Sequence, residues 1–236
     1  MPAKISMILC SYNEKNYIED TISKLENNIQ NLELIIVDDN STDGTKEILN
    51  QINHDKRIKI IFRTKTKGLA SAFLRGIYET TGEYIGWLDT NMGELAPRFK
   101  EMSNLLDSKN DIIILSRYID GGGDERNLLR ILASKYFNIL CRFMLSREIK
   151  DYTTSIFLMK RQVLDEVSFL GYGHGEFFIE FLYNAYKKKF IIKEIPYVQR
   201  ADDNLGISKS APNIIRFFYL GLFYVIRIFA TLIRRN

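Results

Sequence analysis

The chain reads as an α/β protein built on a mostly parallel, doubly wound sheet. Short apolar runs alternate with segments of helical periodicity from Lys4 to Leu115, the pattern of successive βα units. Two of the runs stop abruptly at acids, Leu34-Ile35-Ile36-Val37-Asp38-Asp39 and Tyr84-Ile85-Gly86-Trp87-Leu88-Asp89. Open parallel sheets present ligand-binding groups beyond the carboxyl ends of their strands. Hydrophobic residues make up 46% of the 236, enough for a substantial core.

The elements follow in order. Residues 4–10 form a buried strand. Residues 16–27 form a helix, with Tyr17, Ile18, Ile22 and Leu25 at helical spacing. Residues 32–37 are the second strand. Ser41-Thr42-Asp43-Gly44 is a turn that caps a helix reaching Ile52. Ile58–Phe62 is a strand, Leu69–Thr80 a helix and Tyr84–Leu88 the next strand. Pro97 opens a helix to Leu106, and a strand from Asp111 to Leu115 ends at Ser116-Arg117-Tyr118. Gly121-Gly122-Gly123 reads as a flexible break. A long helix over Glu125–Ser146 follows, then strands at Ile156–Lys160 and Ile191–Ile195 flanking a helix over Phe177–Lys188. No internal repeat or low-complexity segment interrupts the chain.

On a helical wheel, Asn127, Arg130, Ser134 and Asn138 of the long helix fall on one stripe. Leu128, Leu129, Leu132, Tyr136, Phe137, Ile139, Leu140 and Phe143 cover the opposite half. Such an arc either faces the core or lies in the plane of a membrane interface. We divide the chain into a folded domain, 1–210, and an apolar basic tail, 211–236. Basic residues number 33 against 29 acidic ones, and the last 26 residues carry four arginines and no acid. A basic excess confined to an apolar tail suits an anionic membrane surface better than nucleic acid. Arg216, Arg227 and Arg234 are spaced by 11 and 7 residues and share one helix face. Arg227 at mid-segment is costly for a spanning helix. We therefore expect an amphipathic helix lying on the membrane, with a tilted span or soluble packing as the alternatives.

The acids suggest the chemistry. Ser11-Tyr12-Asn13-Glu14 ends the first strand and Asp38-Asp39 the second. A tyrosine ring can stack on a base, and carboxylates can accept from base N–H or ribose hydroxyls. Neither a G-x-G-x-x-G run nor a phosphate-binding lysine loop is present, so a dinucleotide or ATP cradle is lacking. Asp89 and Asn91 would hold a divalent cation, since Mg²⁺ and Mn²⁺ accept one or two protein oxygens and complete their shell with phosphate and water.

Taken in order, Ser11-Tyr12-Asn13-Glu14, the run Val37-Asp38-Asp39-Asn40-Ser41-x-Asp43-Gly44-Thr45, Lys67-Gly68-Leu69-Ala70, the pair Asp89 and Asn91, Ser116-Arg117-Tyr118 and Asp151-x-Thr153-Thr154-Ser155 resemble glycosyltransferase family 2. The resemblance runs from about Lys4 to Lys209. Within the family it is to the dolichyl- or polyprenyl-phosphate mannose synthases. It implies a GT-A type, Rossmann-like sandwich, a nucleotide-sugar donor and Mg²⁺ or Mn²⁺. By position it places Tyr12, Glu14, Asp38, Asp39 and Lys67 at the nucleotide, and Asp89 with Asn91 at the metal and diphosphate. Arg117, Arg130 and Ser134 match acceptor-phosphate residues. Arg200 with Ser208-Lys209 matches a loop that closes on the donor. Three positions depart from the group: Asn91 stands where a second aspartate is usual, Gly93 where a polar side chain helps hold the metal, and Cys10 where proline is usual. Glu94 is the neighbour that could stand in for Gly93.

The expected activity is inverting transfer of mannose or a similar hexose from a nucleotide diphosphate to a polyprenyl phosphate at the cytosolic membrane face. A lipid phosphate is already ionised, so its site needs guanidinium clamps and no general base. Transfer to a glycan or protein hydroxyl is the alternative within the enzyme class. It needs a base, for which Asp151, Glu180 and, less well placed, His174 are the candidates. A membrane-docked binding protein without turnover is the alternative outside that class. A membrane subunit or homo-oligomer is left open as a partner, and nucleic acid is not expected. Cys10 and Cys141 form no framework and fit reduced thiols in a reducing compartment. Met1-Pro2-Ala3-Lys4 leads directly into a strand, so no leader is expected.

Overall fold

The structure is a computed structural model and describes residues 2–52, 55–201 and 214–234. Seven strands form one sheet in the order β3-β2-β1-β4-β7-β5-β8. They are β1 (Ile5–Ser11), β2 (Leu32–Asp38), β3 (Ile58–Phe62), β4 (Tyr84–Trp87), β5 (Ile112–Ser116), β7 (Phe157–Lys160) and β8 (Ile192–Pro196). A two-stranded ribbon, β6 (Gly123–Asp124) with β9 (Val198–Gln199), stands apart. The helices are α1 (Ile18–Asn28), α2 (Thr45–Ile52), α3 (Leu69–Ile77), α4 (Arg98–Leu106), α5 (Leu128–Met144), α6 (Phe177–Lys187) and α7 (Ile214–Ile233).

Strands β3, β2, β1 and β4 run parallel. Both faces of β1 and β2 are covered, which explains why their sequences are continuous apolar runs instead of alternating ones. One core layer packs α1 and α4 on one face, and a second packs α3 and α6 on the other. An aromatic cluster fills the second: Phe73 stacks on Trp87 at 4.8 Å and Phe157 on Phe178 at 4.8 Å. The order of connections reverses at β1, with β2 on one side and β4 on the other. Ser11 pairs with Asp38, and Ile8 with Trp87. The acids following β2 and β4 therefore emerge on either side of β1, at the switch point where open sheets bind ligands. Strand β7 enters antiparallel between β4 and β5. It delivers Asp151–Ser155, the segment just before it, to the same sheet edge.

Two expectations need correction, and the choice left open for the long helix is decided. Gly121–Gly123 is a shaped turn and no flexible break. A Cβ on Gly122 would lie 2.7 Å from the carbonyl oxygens of Ser116 and Arg117, and Gly123 already belongs to β6. That ribbon also takes Asp124, and Asn127 accepts from the Arg130 amide at 3.0 Å, so α5 begins at Leu128. Secondly, the apolar arc of α5 does not face the core. Its polar stripe turns inward, with Asn138 buried, while Leu128 (69% exposed), Leu132, Tyr136, Ile139 and Phe143 (79%) point outward.

Thirdly, the basic stripe of α7 is divided: Arg216 is exposed, while Arg227 and Arg234 turn onto α6. Arg227 is buried and donates to Glu180 at 3.0 Å and to the Tyr172 carbonyl at 3.0 Å. Arg234 reaches Glu180 at 3.2 Å and also the Tyr172 hydroxyl. These two arginines seat α7 against α6. Its outward face is mostly apolar: Ile215, Phe218, Tyr219, Leu222, Ile226 and Phe229 are all exposed. Residues 215–233 are long and apolar enough to cross a membrane. The tail packs on α5 as well, through the stacked rings of Phe137 and Tyr224 at 5.2 Å.

Candidate active site

One end of the candidate site is built by the turns after β1 and β2. Asn13 (φ 57°) and Asn40 (φ 63°) take left-handed conformations that asparagine tolerates. The two turns are stitched together: Asn13 N–H donates to Ser41 Oγ at 2.8 Å, and Thr42 N–H to Asn13 Oδ1 at 2.9 Å. Asp38 is fully buried, and its two oxygens accept from the Ser41 amide at 2.9 Å and hydroxyl at 2.5 Å. It shapes the turn. Asp39, by contrast, sits at the cleft edge, where Arg63 Nε donates to Oδ1 at 2.6 Å and the Gly68 amide to Oδ2 at 2.7 Å. The Tyr12 ring is half exposed, with Lys67 Nζ 4.9 Å from its centroid. Glu14 stands close enough to Asp89 to raise its pKa.

At the centre, Asp89 Oδ2 accepts from Ser155 Oγ at 2.6 Å. Burial and the nearby Glu14 charge push the Asp89 carboxyl above the ordinary range, with the Ser155 bond and Arg130 opposing. Asn91 is exposed on the following turn. The departure at Gly93 has a packing cause: a Cβ there would lie 2.6 Å from Thr21 Oγ1 and 2.9 Å from Thr21 Cα. Glu94, next to it, is exposed. Among the described residues, no three acidic, histidine or cysteine side chains converge as a metal cage. One carboxylate with an amide oxygen is nonetheless the donor set that Mg²⁺ accepts when phosphate oxygens and water complete the shell, so the residues fit a cation shared with a diphosphate.

At the end of β5, Arg117 is 5% exposed and grips Asp151 by both oxygens, Nε to Oδ2 at 2.8 Å and Nη2 to Oδ1 at 2.7 Å. Burial opposes its charge, but Asp151 outweighs it and holds the guanidinium ionised. Nη2 also donates to Thr153 Oγ1 at 2.7 Å, and Ser134 Oγ lies 3.1 Å from the same hydroxyl. Asn138 bonds Thr153 and the Tyr152 amide, fixing α5 over this segment. Arg126 clamps Asp124 through Nε at 2.8 Å and Nη2 at 2.5 Å, and Arg117 Nη1 lies 3.6 Å from the same carboxylate. Arg130 is half-buried beside them. Burial first, then the like charge of Arg126, brings its pKa down to about 10, so it is cationic at neutral pH. Arg117, Arg126 and Arg130 meet the two carboxylates of Asp124 and Asp151, so these five groups sum to a positive charge that favours an anion.

Two of the three proposed bases are otherwise engaged. Asp151 is bound to Arg117, and Glu180 pairs with Arg227 and Arg234 beneath α7. Burial lowers the pKa of His174. Arg200 is exposed directly after β9, and Ser208 and Lys209 lie outside the described residues. The sequence reading did not assign Arg63 or Arg126. Arg63 directly follows β3, and its amide donates to the Asp38 carbonyl at 2.8 Å, continuing the β2–β3 ladder. That adjacency was foreseeable only once β3 was paired beside β2.

Residues 6–168 match the family described as Glycosyl transferase family 2. Dolichol-phosphate mannosyltransferase of Pyrococcus furiosus is 33% identical over 169 residues, which cover 70% of this chain and 48% of that protein. The chain thus spans about half the length of this relative. Polyprenol monophosphomannose synthase of Mycolicibacterium smegmatis is 29% identical over 89% of this chain and 82% of its own length. Among solved structures, glucosyl-3-phosphoglycerate synthase from Mycobacterium tuberculosis in complex with UDP superposes with a TM-score of 0.74. It shares 16% identity and covers 99% of this chain and 82% of that one. Complexes of that same enzyme hold Mn²⁺ or Mg²⁺ with UDP. At that identity the likeness speaks for the fold.

Proposed function

Because this chain belongs to glycosyl transferase family 2, we propose that it moves a hexose, with mannose the first to assay, from a nucleotide diphosphate to a polyprenyl phosphate. The observation that carries this reading is the cluster at the end of β5, taken as the acceptor end: Arg117, Arg126 and Arg130 gather with Asp124 and Asp151, three cations against two acids. A hydroxyl acceptor needs a general base within hydrogen-bond reach, and the two acids proposed for that role are held in buried ion pairs. A phosphate acceptor needs none.

The residues divide the work. Tyr12 and Lys67 border the surface on which the base stacks, and Asp39 accepts from the nucleotide. Asp89 and Asn91 would hold the cation, Mg²⁺ or Mn²⁺, which when bound would neutralise charge developing on the departing diphosphate. Arg130 and Ser134 orient the acceptor, and Arg117 builds the wall that places them. A phosphate oxygen of the lipid forms the new bond to the anomeric carbon as the bond to the donor diphosphate breaks. That single in-line displacement inverts the anomeric centre and needs no proton transfer. The resemblance assigns Arg200 to the donor diphosphate, and Lys209, given the same role, lies outside the described residues.

The outward apolar faces of α5 and α7 support a seat in the cytosolic leaflet, with α5 exposing apolar side chains on one side and carrying the phosphate site on the other. The division into residues 1–210 and 211–236, and any membrane subunit or second copy, belong to this proposal too. Its test is a membrane assay with labelled donor, short-chain polyprenyl phosphate and Mn²⁺. A lipid-linked hexose released by mild acid is expected. A product stable to mild acid would shift the reading to a hydroxyl acceptor.

A further inference from the structure

Arg63 adds a constraint on the donor end that the acids alone do not impose. Both its Nε, at 2.6 Å, and its Nη2, at 2.5 Å, converge on one oxygen of Asp39, Oδ1. The Gly68 amide donates to the other, Oδ2, at 2.7 Å. An ionised carboxylate offers about four acceptor positions. Among the described residues the hydrogen bonds from Arg63 Nε and the Gly68 amide take one position on each oxygen, and Nη2 crowds what is left of Oδ1, so the open position lies on Oδ2. Arg63 also reaches the Gly68 carbonyl at 3.1 Å and Ser71 Oγ at 3.0 Å, so it fastens the turn that carries Lys67 over Tyr12. Gly68 has φ +128°, a conformation other residues rarely adopt, so the turn is committed to this shape. Arg63 is itself nearly buried, at 10% side-chain exposure, and acts through Asp39 rather than on the ligand.

We infer that Arg63 is a positioning residue that sets nucleobase recognition: by filling one oxygen of Asp39 it leaves that carboxylate a single acceptor for a base N–H. The inference rests on the donor reading given above. It bears on discrimination because the pyrimidine edge of uracil offers one ring N–H, whereas guanine offers a ring N–H and an adjacent amino group. Removing Arg63 uncovers both positions on Oδ1. Asp39 can then take two donors in a fork, which favours guanine relative to the unaltered protein.

The test is calorimetry of the full chain in detergent with UDP and with GDP, each with Mn²⁺. In Arg63→Gln the ratio of the two affinities is expected to move toward GDP by about tenfold, the worth of one hydrogen bond to a charged acceptor. Arg63→Lys, which keeps the cation but reaches only one point, is expected to move it part of the way and serves if the glutamine variant does not fold. An unchanged ratio, with both nucleotides weakened alike, overturns the inference and reduces Arg63 to a structural residue. A shift toward UDP overturns it as well. Failure of the unaltered protein to bind either nucleotide sinks the donor reading itself, an outcome distinct from a displaced or static ratio.

Discussion

Asp151 holds Arg117 at both ends of the guanidinium while its own side chain is wholly buried, at 2.8 and 2.7 Å. The backbone amide of Arg117 donates to the same carboxylate at 3.0 Å. This pair ties the end of β5 to the segment before β7. Removing one partner leaves the other charge buried and uncompensated, which costs about 3–5 kcal/mol. Arg117→Ala and Asp151→Asn are therefore expected to lower the denaturation midpoint sharply as well as to abolish transfer. Arg117→Lys is expected to recover little, because an ammonium cannot span both oxygens. Equal midpoints for wild type and Arg117→Ala in urea titrations would contradict this.

Arg130 behaves differently, since it is half-buried on the first turn of α5. Arg130→Ala is expected to leave the melting temperature within a few degrees. It should raise the KM for polyprenyl phosphate about tenfold or more, the loss of one charge-assisted contact. Nucleotide affinity should hold steady, and kinetics with each substrate varied in turn would expose any departure.

The two odd positions in the turn after β4 are expected to respond in opposite ways. Asn91 is exposed, so Asn91→Asp should fold normally and bind Mn²⁺ more tightly by adding a charged ligand. Gly93→Asp must push into Thr21, 2.6 Å from its Oγ1, and is expected to lose about 1–3 kcal/mol by overpacking. Mn²⁺ titration followed by water relaxation, beside thermal melts, separates the two.

Acid stability has an identifiable source at the opposite edge of the sheet. Burial would raise the Glu33 pKa, but hydrogen bonds from Lys4, Ser6 and Thr81 outweigh it and hold the carboxyl at about 2. Because the folded value lies below the unfolded one, this contribution is complete above pH 4.5 and fades as pH falls toward about 2. Glu33→Gln should flatten the stability profile across that window. A variant whose stability falls with acid as steeply as the wild type's would assign the loss to other carboxylates.

The outer faces of α5 and α7 should be dispensable for folding and needed for lipid. Phe143 and Phe218 are largely exposed, so the double change to serine should shift the melting point little while weakening binding to anionic vesicles. Glu180→Gln should do the reverse. It uncouples the buried Arg227 and costs stability without altering the exposed face. Vesicle co-sedimentation of all three proteins distinguishes the two effects.

Alternation of strand and helix, and the two runs that end in acids, were written in the linear sequence, because burial on both faces demands continuous apolar residues and periodicity records it directly. So was the order of the motifs that marks the family. What the linear pattern could not say was which way a patterned face points. The wheel of α5 separates polar from apolar correctly, yet a broad apolar arc is equally at home in a core or at an interface. Only the bonds of Asn138 and Ser134 to Thr153 turn the polar side inward. The arginine stripe of α7 likewise suited a lipid headgroup until Glu180, some fifty residues earlier, was found beneath it. Arg117 looked like a ligand clamp, and packing gave it Asp151 as a partner. Charged side chains reach their partners across elements distant in sequence. Their identities are fixed by composition, and their roles only by which opposite charge the folded chain places within about 3 Å of them.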